Sequence, residues 1–117
     1  MACKGSTLNL GKEVCKYSFA QVSDTIEAFV SDYSLQQIQS VLRDLDRIAA
    51  WLSDCPLEFI GSSILLAHDA LAAGAAPRVN LIDFGHVEAA VGAANVGNVV
   101  GIRTLQQILQ KFVETSQ

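Results

Sequence analysis

Apolar positions in this chain change period along its length, and the changes mark out elements. From Ser23 the spacing is helical: Ile26, Phe29, Val30 and Tyr33 fall on one face, and Ser23 is placed to cap the start. A second helix has the clearest pattern. Ser34 and Gln37 form a capping box, and Leu35, Ile38, Val41, Leu42, Leu45, Ile48, Ala49 and Leu52 follow as one stripe. Asp54-Cys55-Pro56 ends it, because the residue before proline is driven out of helical geometry. Beyond Pro56, LEFIGSSILLAHD reads as two extended segments meeting at Gly61. Ala70 to Pro77 is loose enough for a hairpin connection, and VNLIDF is then a strand able to pair antiparallel with the one before it. Residues 87 to 97 carry no strong period. A last helix is expected from about Val100, with Ile102, Leu105, Ile108, Leu109 and Phe112 facing inward. Residues 1 to 19 are weakly patterned, with a short strand around Val14 to Tyr17 as one reading. The expected order is helix, helix, strand, strand, helix, an α+β domain of antiparallel strands and packed helices.

Composition narrows the function classes. At 117 residues, half of them hydrophobic, the chain makes one folded domain at most. The formal charge of −4 argues against nucleic acid as the main partner, since phosphate backbones call for a basic face. No apolar run is long enough to span a membrane, and neither a signal peptide nor a myristoylation pattern opens the chain. Cys3, Cys15 and Cys55 are odd in number and lack C-x-x-C spacing, which suits free thiols in the cytosol or nucleus.

The stretch that bears on chemistry is VNLIDFGH, where a buried-looking strand ends in a single carboxylate, Asp83. A strand end holds a carboxylate rigidly, and Gly85 lets the backbone turn away without crowding an ion. That is one way to seat a divalent metal beside nucleotide phosphates. An Asp that caps a turn is the other reading of the same residues. Protein kinases use Asp-Phe-Gly in the metal role, but their catalytic loop is absent. His68-Asp69 is the only upstream match, Gly74 stands where the loop asparagine belongs, and no Ala-Pro-Glu follows.

Ser62-Ser63-Ile64-Leu65-Leu66-Ala67-His68-Asp69, Leu81 to His86 and Gly97 to Leu105 together resemble inositol polyphosphate kinases. The first is similar to the family's S-S-L-L-x-x-Y-D strand. Leu81-Ile82-Asp83-Phe84-Gly85-His86 is similar to its I-D-F-A-H element, and Gly97 to Leu105 to the G-Y-x-x-G-L-x-x-L that opens its final helix. Thr7 to Gly11 resembles a T-S-x-x-L-G stretch further upstream. The matches run in the family's order over about residues 20 to 117, which would make that span part of the family's C-terminal lobe and residues 1 to 19 a lead-in.

The resemblance implies ATP-dependent phosphoryl transfer to an inositol phosphate, with Mg²⁺ and ATP as cofactors, while charge and the lack of a long apolar run imply no nucleic acid or membrane as partner. Asp83 would ligate Mg²⁺. Ser62 or Ser63 would lie beside the metal and phosphates, unless both are strand hydroxyls satisfied by backbone. His86 would contact phosphate or the aspartate, unless it only fills space. His68 departs from the family's tyrosine and is expected to be structural. Asn95 stands where the family tends to place an acid, and Asn98 replaces an aromatic. The family's catalytic signature P-x-x-x-D-x-K-x-G is absent from the chain, as are the nucleotide-gripping lysine and the adenine pocket of the N-terminal lobe. The expectation is therefore a truncated product, a fragment, or the partner of a missing lobe. A non-catalytic interaction domain that kept the fold is the alternative.

Overall fold

The computed structural model describes residues 18–69 and 74–116. In order these form α1 (Phe19–Phe29), α2 (Leu35–Asp54), β1 (Leu57–Phe59), β2 (Ser63–Ala67), β3 (Arg78–Ile82), β4 (Val87–Ala89) and α3 (Val96–Ser116). The fold is α+β, three helices with two small antiparallel sheets. The strand expected around Val14 to Tyr17 lies outside the described residues, as does the Thr7 to Gly11 stretch.

Ser18, not Ser23, caps α1. Its Oγ accepts from the Gln21 amide at 3.2 Å, and the Gln21 side chain accepts from the Ser18 amide at 2.7 Å. Three residues beyond Ser23 stands Ile26, which has no side-chain acceptor to return the bond, so the reciprocal cap forms at the earlier serine. The same box recurs at Ser34 and Gln37, with bonds of 3.1 and 2.8 Å, and it starts α2 where the pattern predicted. Along α2, Ile38, Val41, Leu45, Ala49 and Leu52 are buried, and Leu45 and Leu52 are fully enclosed. Leu35, at the first helical position, lies outside the stripe and is exposed.

The two extended segments around Gly61 are strands of different sheets. Gly61 has φ +75°, a left-handed conformation that a side chain would strain, and it turns the chain from one sheet to the other. β2 and β3 form the expected hairpin, in register from Ser63 opposite Ile82 to Ala67 opposite Arg78. Ile64, Leu66, Val79 and Leu81 turn toward the helical core, while the alternate residues face outward. Part of the connection, residues 70–73, lies outside the described residues.

β1 pairs instead with β4, Leu57 opposite Ala89 and Phe59 opposite Val87. That strand falls in the stretch the sequence pattern left unassigned. It is three residues long and exposed throughout, too short to show alternation, and it exists because β1 offers it a ladder. α3 starts at Val96 rather than Val100. Val96 and Val100 are exposed and Gly97 and Gly101 lack side chains, so the first turn carries little apolar signal. Further along, Ile102, Ile108 and Leu109 are buried against the core, with Leu105 and Phe112 half-buried beside them.

Candidate functional site

The hairpin register decides what the site residues can do together. Ser63 lies opposite Ile82, so Ser62 and Asp83 occupy the next rung at the same end of the hairpin. The ladder stops there because Asp83 takes φ +70°. The turn expected at Gly85 is thus made by the aspartate itself, one of the few residue types that tolerates the left-handed region. A Cβ at Gly85 would meet Asp83 Oδ1 at 3.6 Å, an ordinary contact. Asp83 is exposed, as are Phe84, Gly85 and His86.

The two serines differ in setting. Ser63 faces outward with Leu65 and Ala67. Ser62 is half-buried, and its Oγ is enclosed without a hydrogen-bond partner among the described residues. Both line a cleft of about 260 Å³ between the hairpin and the start of α3, walled by Ile64, Leu81, Asn98 and Ile102. Gly97 and Gly101, one helical turn apart, also line it. A Cβ at either would meet nothing within 4 Å, so the glycines leave open space rather than fit a tight contact. Asp83 is not in this wall; it stands two residues beyond Leu81, which is. His86 points its Nε2 to Glu88 Oε1 at 3.3 Å, with both side chains largely in solvent. Its backbone carbonyl accepts from Ile60, continuing the β1–β4 ladder. Among the described residues no three His, Cys, Asp or Glu side chains gather as a metal cage.

The residues that hold α3 in place were legible only as departures from a pattern. Asn95 is wholly buried at φ +58°. Its Nδ2 donates to the carbonyls of Leu52 and Leu57 at 3.0 and 2.9 Å, and its Oδ1 accepts from the Phe59 amide at 2.9 Å and from Asn98 Nδ2 at 3.1 Å. Asn98 Nδ2 also reaches the Phe59 carbonyl at 2.8 Å. These amides join the end of α2, β1 and the start of α3, and so set one wall of the cleft. Asn tolerates the left-handed backbone that Asn95 takes here. His68 is held between Tyr33, at 4.6 Å between ring centroids, and Gln37 Nε2, at 3.3 Å. That position makes it a packing residue.

Charge at the opposite side of α3 is also ordered. Asp46 Oδ1 accepts from Gln106 Nε2 at 2.9 Å and from Arg103 Nη1 at 2.5 Å. These two bonds, with the Arg103 charge, hold its carboxyl below the usual range.

The family model for inositol polyphosphate kinase matches residues 6–110. The chain belongs to the inositol polyphosphate kinase family. Comparison with curated proteins and comparison with solved structures each found no match. No helix among the described residues is long and apolar enough to cross a membrane. For this family member, the three-helix, two-sheet arrangement is consistent with a partial kinase domain.

Proposed function

We propose that this chain forms the metal-and-phosphate face of an inositol polyphosphate kinase, the place where Mg²⁺ and ATP are held for phosphoryl transfer to an inositol phosphate hydroxyl. The observation that supports it best is the hairpin register, which sets Ser62, Ser63 and Asp83 at one end of β2 and β3. Residues 20–117 are then the C-terminal lobe and residues 1–19 its lead-in.

The donor set suits magnesium. Mg²⁺ keeps several waters and is typically held by one or two carboxylates together with substrate phosphates, so an exposed lone Asp83 is a reasonable anchor. Ser62 Oγ is enclosed without a partner among the described residues, and by rotating into the cleft that Ser62 lines it would donate to a phosphate oxygen. His86, paired with Glu88, lies at the rim and would meet phosphate only by leaving that partner. Asp83 would hold the metal, and Mg²⁺ there would supply positive charge to offset the charge that moves during transfer.

Transfer also needs groups that position the acceptor, and P-x-x-x-D-x-K-x-G is absent from these 117 residues. We therefore expect nucleotide binding without turnover from this chain alone. The same absence favours, as a second reading, an interaction domain that kept the fold and lost the chemistry.

Calorimetric titration with ATP, with and without Mg²⁺, tests the binding. Asp83→Asn is the informative variant, because asparagine accepts the left-handed backbone and removes only the charge. Mg²⁺-dependent affinity should fall about ten-fold or more, about 1.4 kcal/mol, with the unfolding midpoint unchanged. Equal binding by both proteins would make Asp83 a turn residue and no more. Robust transfer to mixed inositol phosphates by the 117-residue chain would refute the claim that the absent motif is indispensable.

A further inference from the structure

A second cleft adjoins the serine cleft across Leu81, which lines both. Its volume is about 330 Å³, and its other walls are Asp44, Arg47, Ile48, Trp51 and Phe84. That volume is at the lower end of small-ligand pockets, about 300 to 1,000 Å³. Two of the walls are aromatic rings left in solvent, Trp51 at 54% and Phe84 at 51% exposure. Both rings are braced from behind by the buried Phe59. Trp51 stacks on Phe59 with centroids 5.6 Å apart and planes 16° apart, and Phe84 meets it edge-on at 5.3 Å. At the rim Arg47 pairs with Asp44 through Oδ1, a carboxylate and a guanidinium side by side.

We propose that this cleft takes the purine base of a nucleotide, stacked on Trp51 with Phe84 at its edge. Held rings give up little freedom on binding, and a base offers them a π-face of matching size. The rim adds polar selectivity, because the Asp44 carboxylate accepts from an exocyclic amino group and Arg47 donates to a ring nitrogen. Phe84 directly follows Asp83, so a base seated here puts its phosphates at the end of β3. Leu81, the shared wall, leads from this cleft to Ser62 and Ser63. The proposal rests on the metal–phosphate reading above and adds a base site beside it, across Leu81.

Trp51 is the chain's one tryptophan, so its fluorescence reports this cleft alone. Adenosine, which has no phosphate to bring a metal, should quench it saturably without Mg²⁺, and ATP should quench it at lower concentration when Mg²⁺ is added. Trp51→Ala should weaken ATP binding about ten-fold by calorimetry, while Trp51→Phe keeps a stacking ring and most of the affinity. Far-ultraviolet circular dichroism establishes that both variants fold, and the adenosine quench needs no variant at all. Quenching by adenosine and ATP that Asp83→Asn leaves unchanged would uphold the base site and remove the metal role. Mg²⁺-dependent ATP binding without quenching, undiminished in Trp51→Ala, would overturn the base site and leave Asp83 standing. Neither heat nor quenching with either ligand would overturn both.

Discussion

Asn95 uses every hydrogen-bonding group it has. Both Nδ2 protons go to carbonyls and Oδ1 accepts twice, while its backbone amide donates to Glu58 Oε1 at 2.9 Å and its carbonyl accepts from Val99. A family acid at this position would set an oxygen where Nδ2 stands, facing the carbonyls of Leu52 and Leu57 with no proton to donate. Asn95→Asp tests that, since aspartate has nearly the same shape and the same tolerance of a positive φ. Buried without a donor to the two carbonyls, the charge should lower unfolding free energy by at least about 2 kcal/mol at neutral pH. Urea denaturation reads the difference, and a change under about 0.5 kcal/mol would mean the carboxylate finds partners the asparagine does not use. Asp83 is the contrasting case. It shares the left-handed backbone but stands in solvent, so its charge is available to a ligand rather than committed to the fold.

At the scale of elements, α2 is the piece on which the others pack. Its buried stripe meets α3 along one side and the β3 strand along another, with Leu45 wholly enclosed near the middle. Leu45→Ala should cost about 2 to 5 kcal/mol, the range for a buried leucine whose surroundings collapse incompletely. A domain of this size has about 5 to 15 kcal/mol in hand, so the variant should approach the unfolding transition at 25 °C. A loss below about 0.5 kcal/mol in urea would place the stripe against solvent. The same stripe was the most legible feature in the sequence, because twenty residues give a 3.6-residue period room to repeat. The hairpin was legible too, with inward Ile64, Leu66, Val79 and Leu81 alternating against outward neighbours. What stayed hidden had separate causes. β4 is set by a partner distant in sequence, and the first turn of α3 alternates exposed valines with glycines and carries no apolar period. The α1 cap at Ser18 was legible, being the same S-x-x-Q box read at Ser34 and Gln37. The candidate site divided in the same way. Ser62, Ser63 and Asp83 were visible as motif residues, whereas the Trp51–Phe59–Phe84 cluster arises from α2, β1 and the β3–β4 turn, which only the fold brings together.

Across the whole molecule Ser62, Ser63 and Asp83 collect at one end of the hairpin, and near the other end side chains of α1, α2 and the residues after β2 pack together. There Tyr33 joins three elements: its ring lies 6.3 Å from Phe29 at the end of α1 and 4.6 Å from His68 after β2, just ahead of the α2 cap. Gln37 seals the junction by donating to the Ala75 carbonyl at 2.8 Å. The Tyr33 hydroxyl is enclosed and has no hydrogen-bond partner among the described residues. Burial, and then the nearby Asp32 carboxylate, push its pKa from 10.0 up to about 12. In the unfolded chain the phenol loses its proton near pH 10, while the folded protein keeps it until about 12. The folded state therefore binds more protons across that interval, and stability falls as pH rises through it. The loss should be on the order of 3 kcal/mol, beginning as pH nears 10 and complete above about 12. Tyr33→Phe removes the titrating group and an unpaired hydroxyl together, so it should match the wild type within about 0.5 kcal/mol at pH 7. Urea unfolding of both proteins at pH 7, 9.5 and 11.5 isolates the difference, because the two proteins differ only at Tyr33. A gap that opens in favour of Tyr33→Phe only above pH 10 is the expected result; parallel decline of the two proteins would mean that Tyr33 ionises in the folded state as readily as in the unfolded one.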